Sequence, residues 1–250
     1  MANSFLYRMP SGVVGSVTRP LETAVESVFL NSAKPVLSFG APVKLVSGKA
    51  EPLEASDAAS VFYGILGRVA PSIGGSTAQL FTSQLPNTDS VQGIVTRGYV
   101  NVACAIGTPV RGGQVYARVV ADTGKLVGDI EATADVVVVG GTITGTGTGT
   151  IAATVTSAAI VGTWSLKLQT TSQTSLVTVI DPLGVRHLDA TVGTAYTSGG
   201  LTFTITAAGT MTAGDSFAPV VTAKNVALSN VVWAVDGKDG SNNTEIRIKA

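Results

Sequence analysis

Short apolar runs closed by turn residues set the frame for this chain. Stretches of four to eight residues rich in Val, Ile, Thr and Tyr end repeatedly at Gly, Asp, Asn or Pro, which is the pattern of β-strands and their connections. Residues 61–69 form one such run and residues 93–103 another. Successive strand side chains point to opposite faces. In the second run Ile94, Thr96, Gly98 and Val100 therefore share one face, and Val95, Arg97, Tyr99 and Asn101 the other. Residues 114–120 place Val115, Ala117 and Val119 together on one side. Residues 231–235 and 244–248 read as a hairpin whose connection, residues 236–243, is rich in Asp, Gly, Ser and Asn. Helical spacing is hard to find. Residues 21–30 follow Pro20 and fit a two-turn helix or an extended segment equally well.

Composition shifts at about residue 129, and from there to about 224 Thr, Val, Gly, Ala and Ser dominate. No charged residue lies between Asp135 and Lys167. Strand-like runs recur at 164–170, 175–180, 185–192, 201–206 and 216–222, separated by turns such as Asp181-Pro182-Leu183-Gly184 and Ser198-Gly199-Gly200. Such spacing predicts a small β-sandwich. The earlier character returns after Lys224. The expectation is an all-β chain in three parts: an extended N-terminal arm over 1–30, a small β-barrel or jelly-roll-like domain over 31–128 plus 225–250, and an inserted β-sandwich module over 129–224. A module can be inserted at a loop when its two ends lie close together.

Lys+Arg and Asp+Glu balance at 16 each, and only 13% of residues are charged. Low net charge favours association, so the surface reads as one covered by neighbours. No run of Lys and Arg occurs along the chain, which argues against nucleic acid, whose binding needs a basic surface. Cys104 is the only cysteine, so no internal disulfide forms, in keeping with assembly in a reducing cytoplasm. The opening Met1-Ala2-Asn3-Ser4-Phe5 lacks a basic region followed by an apolar run, so no signal peptide is expected. No stretch reads as a membrane span.

Candidate chemistry is sparse. His187 is the only histidine, and a Ser-His-Asp triad requires a histidine that reaches both partners. An exposed strand-edge histidine is the simpler expectation. Gly145-Thr146-Gly147-Thr148-Gly149 superficially suggests a phosphate loop, but the β-like pattern from Ile151 onward replaces the required helix, so a linker or edge strand is expected. Asp236, Asp239 and Glu245 do not keep calcium-loop spacing. Trp164 and Trp233 read as one core aromatic for each domain, or else as exposed contact anchors. Cys104 reads as a small packed residue. No catalytic residue, cofactor or metal site is expected.

Tyr7-Arg8-Met9-Pro10-Ser11-Gly12-Val13-Val14-Gly15, Thr18-Arg19-Pro20 and Thr23-Ala24-Val25-Glu26 resemble the N-terminus of tailed-phage structural cement proteins. Phe39-Gly40-Ala41-Pro42-Val43-Lys44, Arg97-Gly98-Tyr99-Val100-Asn101-Val102 and Trp233-Ala234-Val235-Asp236-Gly237 continue the likeness, which spans 1–132 and 225–250. The segments around Val179-Ile180-Asp181-Pro182 and Gly199-Gly200-Leu201-Thr202 are similar to a β module of phage head-decoration proteins. The resemblance implies a non-catalytic virion protein on the capsid exterior, assembled in the host bacterial cytoplasm, that bridges neighbouring major capsid subunits. A homo-oligomer is expected, with a dimer and a trimer both compatible with a symmetric shell, and the charge balance and absent span leave no nucleic acid or membrane partner expected. Tyr7, Arg8, Met9, Pro10, Arg19 and Pro20 are the expected capsid contacts. The competing reading is a tail-associated or fibre-like protein whose inserted module binds a host surface.

Overall fold

The structure, a computed structural model, describes residues 12–55, 57–68, 86 and 90–249. The described chain is all-β and divides into two compact units, Met1–Thr133 with Asn225–Ala250, and Ala134–Lys224. The first unit holds β1 (Ala24–Leu30), β2 (Pro42–Val46), β3 (Lys49–Pro52), β4 (Phe62–Leu66), β5 (Val91–Ile106), β6 (Gln114–Arg118) and β7 (Ile130–Glu131). The second holds β8 (Val136–Val139), β9 (Gly149–Val155), β10 (Gly162–Thr163), β11 (Ser165–Leu168) and β12 (Leu176–Ile180). It continues with β13 (Ala190–Thr191), β14 (Tyr196–Ser198), β15 (Leu201–Ala207), β16 (Ser216–Phe217) and β17 (Val220–Ala223). The chain then re-enters the first unit as β18 (Asn225–Trp233) and β19 (Asn243–Ile248).

The 16-residue strand β5 organises the first unit. Its N-terminal half pairs with β1 and β4, and through β3 and β2 these close a ring of five strands. Its C-terminal half pairs with β19 and β7, and through β18 and β6 these close a second ring of five. Closure leaves every strand of each ring paired on both sides. Strand alternation then distributes side chains between two cores. Ile94 and Leu66 join Leu30, Val36, Val43 and Ala50 in one. Val95 and Ile65 join Val100, Val102, Val115, Ala117, Trp233 and Ile246 in the other.

Gly98 stands where β5 passes from one ring to the next. Its φ is +109°, and a Cβ there would lie 2.5 Å from the Thr23 Cα, so only glycine lets residues 22–23 pack onto the strand. Residues 21–30, where helix and extended structure were both open, form a 3-10 turn at Pro20–Glu22 followed by β1. Of the segment expected as an arm, Val17 bridges to Val100 and β1 pairs along β5, while residues 1–11 lie outside the described residues. The composition shift begins at 129, yet β7 pairs with β5 and β6 of the first unit.

Where the chain leaves the first unit and where it returns are tied by one polar cluster. Arg118 and Glu131 are both fully buried, with Nε donating to Oε1 at 2.6 Å and Nη2 to Oε2 at 3.0 Å. The Asn225 amide donates to Glu131 Oε2 at 2.6 Å and to the Thr133 carbonyl at 2.8 Å. Thr133 ends the outgoing segment and Asn225 begins the returning one.

The second unit packs three short sheets, β10-β17-β8, β13-β12-β11-β16 and β14-β15-β9, around Trp164, Leu166, Val179, Phe203 and Phe217. One expected strand splits and another is shorter than its run. Residues 216–222 break at Pro219, which has no N–H to give a ladder, so β16 pairs with β11 and β17 with β10 and β8. Residues 164–170 yield β11 alone, and β10 joins a different sheet just before Trp164. Of the run expected over 185–192, only β13 is a strand.

Candidate functional site

Of the six expected contact residues, Tyr7, Arg8, Met9 and Pro10 lie outside the described residues, and Arg19 and Pro20 lie on the surface of the first unit. Arg19 precedes the turn Pro20–Glu22, where proline supplies the required φ at no hydrogen-bonding cost. The turn is fastened to β5. Thr23 Oγ1 donates to the Arg19 carbonyl at 2.8 Å and accepts the Tyr99 N–H at 3.2 Å. The Thr18 N–H donates to the Tyr99 carbonyl at 3.3 Å. Pro20, Leu21 and Glu22 stand exposed on this turn.

The Arg19 guanidinium lies 3.9 Å above the Tyr99 ring centroid and donates from Nη2 to Glu245 Oε2 at 3.2 Å. Thr18 Oγ1 donates to the other oxygen of Glu245. Arg247, two residues along β19, brings a second guanidinium to 5.5 Å from the same ring. Adjacent strands explain the meeting, because Arg247 and Tyr99 are register partners of β19 and β5. Two shallow surface depressions share Tyr99, Arg247 and Lys249; Arg19 and Arg111 line one of them, and Arg97 and Glu22 the other. Arg19, Arg97, Arg111, Arg247 and Lys249 are all exposed. The sequence has no basic run, yet the fold gathers five cations around one tyrosine. Of these five, sequence reasoning singled out only Arg19 as a contact residue. The signal was present in the alternation of β5, which puts Arg97 and Tyr99 on one face, but the partners from β19 and the segment before β6 are invisible without the ladder register.

The other singled-out residues take structural roles. His187 is half-buried rather than an exposed strand-edge residue. Its ring stacks on Trp164 at 5.5 Å, Nε2 lies 3.2 Å from Asp181 Oδ2, and Nδ1 lies 2.9 Å from Ser198 Oγ. Serine, histidine and aspartate thus meet, but in the reverse of hydrolase wiring, in which Nε2 faces the serine and Nδ1 the aspartate. Asp181 Oδ1 also accepts the Leu183 and Val185 N–H groups, each at 2.9 Å, so this carboxylate builds its own turn. Burial raises the Asp181 carboxyl, and the Val185 amide, His187 and the Leu183 amide outweigh it, holding the group below the usual carboxylate range. The arrangement rivets the 181–187 turn to the β14–β15 hairpin.

The glycine-threonine segment does bind an anion, the chain's own. Asp215 is buried and accepts N–H groups from Thr146 at 3.0 Å, Gly147 at 2.9 Å and Thr212 at 3.0 Å. A Cβ on Gly145 would fall 1.8 Å from Asp215 Oδ1, so the carboxylate occupies the space a side chain would need.

Asp236, Asp239 and Glu245 serve three separate tasks. Asp236 accepts the Arg111 N–H at 2.8 Å, Asp239 closes the 239–243 turn through the Ser241 and Asn243 N–H groups, and Glu245 holds Arg19. Among the described residues no group of three or more His, Cys, Asp or Glu side chains is placed to hold a metal ion. Trp164 and Trp233 are each buried in the core of their own unit. Cys104 is buried in the first unit, and burial pushes its thiol pKa up, the direction of an unreactive thiol. Among the described residues no helix is long and apolar enough to cross a membrane.

No curated protein and no solved structure matches the chain. The family described as structural cement protein (E217 gp24/Pam3 gp6) matches residues 1–161, a stretch that includes the Arg19 turn, Arg97, Tyr99 and Arg111. With most of its length matched, the chain belongs to the phage structural cement proteins and is a structural protein of the virion.

Proposed function

We propose that this chain, assembled in the host bacterial cytoplasm, binds the outer face of the capsid shell and bridges neighbouring major capsid subunits without catalysing a reaction. The family match over residues 1–161 is the observation that carries this reading. A protein that binds only the mature lattice stabilises it by mass action. Copies joined as a dimer or trimer engage several coat subunits at once, so modest contacts combine through multivalency. Residues 1–30 carry the contact to the shell, with Tyr7, Arg8, Met9, Pro10, Arg19 and Pro20 at its centre. The inserted unit, Ala134–Lys224, faces outward or adds contacts between neighbours.

The test uses particles with and without this chain. Copy number in purified virions is expected in the hundreds, and particles lacking the chain are expected to lose resistance to heat and osmotic shock. A few to tens of copies would assign the chain to the tail instead. Equal resistance of complete and depleted particles would remove the bridging role.

A further inference from the structure

We infer that the cationic surface around Tyr99 is the seat of an acidic segment of the coat protein, a short stretch of polypeptide bearing several carboxylates. The inference rests on the capsid-binding reading above and adds to it the chemistry of the partner. A chain with 16 cations and 16 anions has no general reason to collect five cations in one place, because like charges brought together repel. Here Arg19, Arg97, Arg111, Arg247 and Lys249 converge from four separate stretches of sequence, and among the described residues Glu22 is the only acid lining the same depressions. Glu245 beside them is mostly buried and spent on Thr18 and Arg19. Among the described residues no ion pair engages the Arg97, Arg111, Arg247 or Lys249 side chain. An anion from another molecule relieves the repulsion.

The arginines suit an oxyanion, since guanidinium groups bind carboxylate and phosphate oxygens alike in pairs through parallel N–H donors. Tyr99 holds Arg19 at 3.9 Å and Arg247 at 5.5 Å from its ring centroid, so less side-chain freedom is lost when a partner docks. A nucleic acid backbone fits less well. Duplex DNA presents a charge about every 1.7 Å along its axis, and such a row would meet Glu22 on the rim. A peptide places its carboxylates selectively and leaves that position neutral.

The experiment uses the full chain with purified expanded capsid shells that lack it. Co-sedimentation would compare the unaltered chain with the triple variant Arg97→Glu, Arg247→Glu, Lys249→Glu, and with Lys167→Glu, an exposed charge on the second unit. Thermal melts would show that each variant is folded. The triple variant is expected to bind on the order of a hundred-fold or more weaker, with Lys167→Glu unchanged. Raising NaCl is expected to weaken the unaltered chain, and poly-L-glutamate is expected to displace it from shells. If the unaltered and triple-variant chains bind shells equally, the carboxylate seat is wrong and the cement role stands. If the unaltered chain ignores shells, the cement role fails, and direct titration with poly-L-glutamate decides the surface by itself: no binding overturns it. Displacement by a duplex DNA fragment, with poly-L-glutamate inert, overturns the assignment in favour of a phosphate partner.

Discussion

Replacing Glu131 by alanine removes its two bonds to the Arg118 guanidinium, at 2.6 and 3.0 Å, and the Glu131 acceptor of the Asn225 amide. Both members of the ion pair have fully buried side chains, so water cannot take the place of the lost carboxylate. Breaking a buried ion pair by removing one member costs about 3–5 kcal/mol. Against a total stability of about 5–15 kcal/mol that is a large fraction. For a chain of this length each kcal/mol moves the melting temperature by about 2–4 °C, which puts the expected fall at roughly 6–20 °C. Differential scanning calorimetry at neutral pH measures it. The paired replacement Arg118→Met with Glu131→Leu removes both charges and fills similar volume, so it is expected to melt close to the unaltered chain, with Asn225 still donating to the Thr133 carbonyl at 2.8 Å. If Glu131→Ala melted within a degree of the unaltered chain, the argument that this cluster fastens the outgoing and returning strands would be refuted.

Asp215→Ala removes the acceptor for three backbone N–H groups and is expected to destabilise the second unit by about 2–4 kcal/mol, read as a lower urea midpoint and faster hydrogen exchange at Thr146 and Gly147. The Asp181 carboxyl is held below its ordinary range in the folded chain, so its stabilising contribution is present above the unfolded pKa and lost as pH falls through the lower folded value. Asp181→Asn is therefore expected to melt below the unaltered chain at pH 7, with the gap closing below about pH 4; a gap that persists in acid would show that the carboxylate charge is not what matters. Cys104 is buried with its thiol pKa raised, so a disulfide-exchange reagent is expected to leave the native chain unmodified and to titrate its single thiol once the chain unfolds in urea. Rapid labelling of the native chain would contradict the packing of β5.

Much of the fold was legible because strand periodicity is local. The alternation of Val115, Ala117 and Val119 marks a buried face, and all three are buried. The hairpin of β18 and β19 follows from two apolar runs around a turn-rich connection, and Trp233 pairs with Ile246 across it. The split of residues 216–222 was also written in the chain, at Pro219, but the pattern of hydrophobic residues outweighed that single breaker. The run at 185–192 failed for a different reason. Its backbone is held by the Asp181 carboxylate and by His187 between Trp164 and Ser198, contacts that no periodicity reports.

By itself the sequence determined the all-β class, the turn positions, the buried faces of the long strands and the scarcity of groups able to do chemistry. Tertiary structure decided that β5 serves two rings, that Asp215 fills a glycine-lined cradle, and that Arg19, Arg97, Arg111, Arg247 and Lys249 share one surface. The physical reason is range. Strand alternation and turn preference act between neighbours along the chain, whereas ladder register joins residues such as Tyr99 and Arg247 that only pairing of distant strands brings together.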